Sequence, residues 1–204
     1  CEARAVEALA RLAAEHGDEQ WMAPAIISSV ASNADAFLAR LLAASPSSAG
    51  TQAVLGPVGE TIGARRDAAA VGRCFQQTGE LAGPDAAKGQ FVLLEGLTRG
   101  LKRGKPRALQ GEAIVRGLEK LLASSSPDVS EQAVRIAGLL QLSDSPAMQT
   151  AWETAAKAAL DVERPLAARL AAVASLSVAP WERQHSLQKL LDARQPAEVQ
   201  LAVV

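Results

Sequence analysis

Two histidines and two cysteines are the side chains in this 204-residue sequence best suited to metal or nucleophilic chemistry, and their spacing limits what they can do. His185 follows Glu182 by three residues in Trp181-Glu182-Arg183-Gln184-His185. On a helix that spacing shares a face, as a proton shuttle or half a metal site would require. No second His or Cys stands four residues away, and neither HExxH nor CxxC occurs, so no metal site is expected. His16 follows a helical stretch, where an imidazole meets the last carbonyls and the negative end of the dipole. Cys74 lies in the apolar stretch Val71-Gly72-Arg73-Cys74-Phe75 and reads as a buried, inert thiol. Arg73 is its chain neighbour, but adjacent residues on a helix do not face one another. Cys1 and Cys74 are too few to define a disulfide framework.

The remaining polar clusters have structural readings. Ser124-Ser125-Ser126 and Ser143-Asp144-Ser145 fall at expected caps and turns. There is no GxSxG elbow and no Tyr. Gly56, Gly59 and Gly63 follow a helical spacing, so with Pro57 they predict close helix packing or a kink instead of a phosphate loop. The most distinctive stretch is Thr98-Arg99-Gly100-Leu101-Lys102-Arg103-Gly104-Lys105-Pro106-Arg107. Its five cations, Arg99, Lys102, Arg103, Lys105 and Arg107, form a possible patch for an anionic partner. They equally suit a helix C-terminus, with cations on the negative dipole end, Gly as cap and Pro as stop. Trp21, Trp152 and Trp181 each fall near a helix start and are expected to pack between repeats.

The elements that position these residues are helical. Ala (43 residues) and Leu (26) dominate a chain with three Phe, three Trp and no Tyr. Ala and Leu lose little freedom in a helix, whereas the aromatics that favour strands are scarce. Net charge is −1, which supplies no general attraction for nucleic acid or an anionic membrane. No uninterrupted apolar run approaches the roughly 18–20 residues of a membrane span. Stripes at three- and four-residue steps include Phe91, Leu94, Leu97 and Leu101; Ile114, Leu118 and Leu121; Val129, Ala133, Ile136 and Leu140; and Leu166, Leu170, Val173 and Leu176. Ser45-Pro46, Ser126-Pro127, Ser145-Pro146, Arg164-Pro165 and Gln195-Pro196 mark helix starts. Helices are predicted over 2–15, 20–31, 34–44, 51–64, 67–79, 86–103, 108–123, 128–142, 146–160, 164–177, 182–193 and from 197 onward.

Short connections predict antiparallel helix pairs, and the pairs recur. First helices begin near Gln20, Thr51, Ala87, Ser130, Pro165 and Pro196, at steps of 31, 36, 43, 35 and 31 residues. The segments beginning at Pro127, Pro165 and Pro196 resemble first helices of HEAT repeats. The expected fold is a single all-α domain over 1–204, a HEAT-like right-handed α-solenoid of about five to six antiparallel helix pairs. An irregular helical bundle is the alternative. A start on an orphan helix and an apolar last helix lead us to expect a fragment of a larger protein.

The segments Asp18–Val30, Val58–Asp67 and Leu93–Lys105 resemble the HEAT-repeat region of large planctomycete-type multidomain proteins. Those proteins combine a β-propeller, HEAT repeats and a C-terminal haem-binding cytochrome c module. The resemblance implies an extracytoplasmic (periplasmic) protein whose redox or sugar-binding chemistry lies in other domains. Because this chain has no Cys-x-x-Cys-His, it carries no c-type haem site, and no catalytic or cofactor-binding residue transfers to it. The expected role is a non-catalytic scaffold that binds a protein partner or spaces neighbouring domains. The alternative is a nucleic-acid-binding or base-excising enzyme on a HEAT-like scaffold. It would need Arg65 and Arg66 to share a face with the 99–107 cluster, with an aromatic and a carboxylate converging there.

Overall fold

Helix-forming residues interrupted by prolines and capping groups dictate short helices, and these form. The computed structural model describes residues 3–83, 85–103, 108–142, 146–177, 179, 185–192 and 194–203. The described chain is all-α and contains no strand. The helices are α1 (Ala3–His16), α2 (Met22–Val30), α3 (Ala34–Ala44), α4 (Ala49–Arg65), α5 (Ala68–Glu80) and α6 (Ala86–Lys102). They continue with α7 (Glu112–Leu122), α8 (Pro127–Leu139), α9 (Pro146–Leu160), α10 (Leu166–Ser177) and α11 (Ala197–Val203). Short 3-10 turns occupy Ala31–Asn33 and His185–Leu191.

Where boundaries differ from expectation, local bonds explain the shift. Ser48, not Ser45, caps α4: its hydroxyl accepts from the Thr51 N–H at 3.1 Å, while Ser45 closes α3. Asp67 caps α5 through Ala70 N–H at 2.7 Å. Ser126 makes no side-chain cap bond, so the proline at the first position of α8 marks that start alone. Helix α7 begins at Glu112 instead of 108, because Leu109 is buried and the Gly111 carbonyl accepts from Ile114 and Val115. Of the helix expected over 182–193, the part described at 185–191 is a 3-10 turn, while 180–184 and 193 lie outside the described residues. Leu187 and Leu190, both buried, are three apart, which matches the three-residue turn.

The stretch Met22–Ala44 also departs from expectation: with 23 residues and mean hydropathy 1.2 it is long and apolar enough to cross a membrane by length and composition. The 3-10 turn at Ala31–Asn33 interrupts it. Its Ile26, Val30, Phe37, Leu38 and Leu41 are buried, and Asp35 pairs with Arg73 on α5 at 2.7 Å.

Two compact units are distinguished, Cys1–Gly117 and Leu118–Val204. In the first, α4 and α6 meet backbone to backbone. A Cβ added at Gly59 would stand 2.3 Å from the Leu93 carbonyl oxygen, and one at Gly63 2.4 Å from that of Leu97. From the other side, Gly96 meets the Gly56 carbonyl oxygen at 2.0 Å and Gly100 that of Glu60 at 2.1 Å. Residue numbers rise together along this seam, so α4 and α6 are parallel. The same rule holds for α5 and α7, where Gly72 meets Ala113 and Gly117 meets Phe75. Each helical glycine costs about 0.5–1 kcal/mol relative to Ala. Close dispersion contact along the whole seam offsets that cost.

In the second unit, α10 packs on α8, α9 and α11. Its buried residues include Ile136, Leu140, Trp152, Val173, Leu176, Leu190 and Val199. The stripe expected on α10 holds only at its far end. Val173 and Leu176 are buried, but Leu166 is exposed and Leu170 half-buried. Arg169 takes the inward position instead, 3% exposed.

Candidate functional site

The parallel arrangement of α4 and α6 brings their C-terminal ends together, and with them the basic residues. Arg66 ends α4 in the left-handed conformation (φ 51°) and donates to the Leu101 carbonyl at 2.6 Å. Arg65 donates to the Ala31 carbonyl at 3.1 Å. These guanidinium groups satisfy carbonyls near helix ends, where cations also oppose the negative dipole. Arg65 and Arg66 therefore share one end of the α4/α6 pair with Arg99, Lys102 and Arg103. Lys105 and Arg107 lie outside the described residues.

Glu60 on α4 crosses the seam to this cluster. Arg103 pairs with it, and Arg99 Nε approaches it at 3.4 Å while also pairing with Glu95 at 3.2 Å. Counting acids along the chain near the cluster misses Glu60, because it belongs to the neighbouring helix. Exposed pairs of this kind contribute about 0–1 kcal/mol each. Glu60 is thus held by two cations, Arg99 and Arg103. Lys102 remains exposed.

The other candidate groups are separate from this end. His16 Nδ1 lies 2.6 Å from Glu19 at the exit of α1. Cys74 is fully buried, its thiol pushed up to about 12, first by loss of solvation, against a lowering by a hydrogen bond with Thr78. A thiol so placed is not a nucleophile near neutral pH. Among the described residues, no group of three or more His, Cys, Asp or Glu could hold a metal ion. Glu182 and Trp181 lie outside the described residues. Trp152 is buried, 3% exposed, whereas Trp21 is 75% exposed at φ 71° just before α2 and does not pack as expected. A bulky residue in that backbone region is strained, and no neighbour covers the ring.

A second feature lies wholly in the unit Leu118–Val204: a groove of about 640 Å³. One wall is α8 (Pro127, Ser130, Val134) and the other α9 (Pro146, Thr150, Ala151, Thr154, Ala155, Ala158). Ala168, Ala172 and Ser175 of α10 form its base, and Glu119 and Arg164 stand at the edge. In the first unit, α3 and α5 enclose a space of about 580 Å³ that includes Arg73, Gln77 and Glu80.

Arg169 is the structural residue that periodicity missed. Its Nε donates to the Ala159 carbonyl at 3.0 Å, and Nη2 to Gln195 Oε1. It thereby ties the end of α9 to the turn before α11. The signal was present as a basic residue inside an alanine-rich face, but an arginine with no acid nearby reads as solvated.

No protein-family model matches the chain, and no curated protein matches it. Among solved structures, the crystal structure of an engineered protein is similar to 98% of this chain and 86% of its own length, with a TM-score of 0.50 and 19% identity. That likeness is one of fold alone.

Proposed function

We propose that this chain is a non-catalytic scaffold, a HEAT-like stack of helix pairs that docks a protein partner or spaces neighbouring domains. The observation that carries the reading is the parallel packing of alternate helices, α4 on α6 and α5 on α7. Stacked hairpins place first helices beside first helices in this way, and the resulting surfaces serve binding. The inert Cys74 and the occupied Glu60 support the same reading, as does the solvent-exposed Trp21, a side chain enriched at binding hot spots. The resemblance to the planctomycete-type proteins adds that redox or sugar chemistry would reside in other domains, outside the cytoplasm. Covalently held haem in the parent protein, seen as a Soret band, would support that extension.

The test is photo-crosslinking in cells, with a benzophenone amino acid placed in turn at Trp21, Lys102 and Thr154 of the parent protein. A discrete adduct from at least one position, reproduced by saturable binding of the purified partner, is expected. Absence of any adduct overturns the reading.

The second reading, nucleic-acid binding, is favoured by one observation: Arg65, Arg66, Arg99, Lys102 and Arg103 share one end. A labelled 20-base-pair duplex distinguishes the two by anisotropy. Salt-dependent binding that Arg65→Glu and Lys102→Glu abolish would replace the scaffold reading.

A further inference from the structure

The groove between α8 and α9 has a definite chemical polarity. The Ser130 hydroxyl donates to the Pro127 carbonyl at 3.0 Å, Thr150 to Pro146 at 3.1 Å and Thr154 to Thr150 at 2.9 Å. Their protons are committed to the helices, so these oxygens offer only lone pairs to an occupant. Arg164, the cation at the edge, is held by Asp161 at 3.4 Å. Glu119, the edge carboxylate, is exposed and makes no ion pair among the described residues. These three hydroxyls therefore serve as acceptors, and the edge carries one carboxylate without an ion pair among the described residues. The base is different: Ala168 and Ala172, with Ala151, Ala155 and Ala158 beside them, present methyl groups that allow close approach.

Shape selects the kind of occupant. Pro146 to Ala158 is thirteen residues, a rise of ~18 Å along the helix, or about three turns. Thr150, Thr154 and Pro127 are exposed, so the groove is open along its length and does not enclose a small molecule. We infer that this groove docks a helical segment of a partner protein, with small apolar residues on the buried face and a Lys or Arg directed at Glu119. The inference rests on the scaffold reading and names the partner chemistry of one of its surfaces. Helix-in-groove recognition places anchors at i, i+4 and i+7, which matches the three-turn wall.

The experiment is a selection from a displayed library of random 16-residue peptides against the 204-residue chain, followed by anisotropy of the enriched peptides. Enriched sequences are expected to place Ala, Ser or Leu at i, i+4 and i+7 with a basic residue near one end. Thr154→Arg, at an exposed wall position, is expected to weaken them at least tenfold. Glu119→Lys is expected to weaken them several-fold, but to leave the same peptide with its basic residue replaced by Ala unaffected. Melting midpoints within a degree or two of the parent chain establish that both variants fold. No enrichment, enrichment of acidic peptides, or affinity indifferent to Thr154→Arg overturns the proposal. Crosslinks from Trp21 or Lys102 in that event would leave the scaffold reading standing; their absence as well would remove both.

Discussion

The two units pack helices by opposite means. Between α4 and α6, four glycines (Gly59, Gly63, Gly96 and Gly100) remove the Cβ atoms that would separate the backbones. Between α8 and α9, alanine, serine and threonine keep their Cβ atoms, and a groove of about 640 Å³ stays open above α10. The first arrangement maximises contact and tolerates no added atom. The second leaves a surface that another chain can use. In this protein, small side chains thus have two meanings, and the difference between Gly and Ala separates a sealed seam from a binding face.

The sealed seam is most sensitive at Gly96. Its Cβ would stand 2.0 Å from a backbone oxygen on α4, and a backbone cannot move aside as a side chain can. Gly96→Leu is expected to cost about 3 kcal/mol or more, or to prevent folding, as read by urea unfolding. A small loss would show that the seam is not close-packed.

In the second unit the largest loss belongs to the core. Ile136→Ala should cost about 2–5 kcal/mol, whereas Leu170→Ala, only half-buried, should cost about 1 kcal/mol. Equal losses would contradict the observed rotation of α10. Arg169→Met preserves much of the side-chain bulk while removing both hydrogen bonds, and is expected to cost about 1–3 kcal/mol in the same measurement. The smallest change has the opposite sign. Gly138, helical and exposed, meets nothing within 4 Å of an added Cβ. Gly138→Ala should therefore stabilise by about 0.5–1 kcal/mol, seen as a raised urea midpoint. With Gly96→Leu it forms a pair in which the same residue type gives opposite outcomes.

How much of this was legible beforehand can be followed residue by residue. The helical period of Phe91, Leu94, Leu97 and Leu101 was sufficient to place α6, and the spacing of Gly56, Gly59 and Gly63 announced close packing. That Gly96 and Gly100 supply the other half of the seam was not legible, because it depends on which helix lies opposite. The basic cluster was legible as a cluster, yet its main counter-charge, Glu60, stands some forty positions away in the chain. Arg169 faces inward where Leu170 was expected, because one residue of rotation on a helix changes which side chain is buried, and an alanine-rich face does not specify that rotation. Trp21, near a helix start, was expected to pack between repeats, but it sits exposed in the left-handed turn before α2.

By itself, the sequence determined what is local: the all-α class, most helix boundaries, the inert setting of Cys74 and the end at which α6 gathers its cations. These follow from propensity, capping and apolar period, which act within a few residues. The tertiary structure decided the parallel pairing of α4 with α6, the ion pairs of Glu60 with Arg99 and Arg103, and the opening of a hydroxyl-walled groove in the second unit. Each depends on contacts between residues distant in the chain, and the identity of the facing helix is written in neither partner alone.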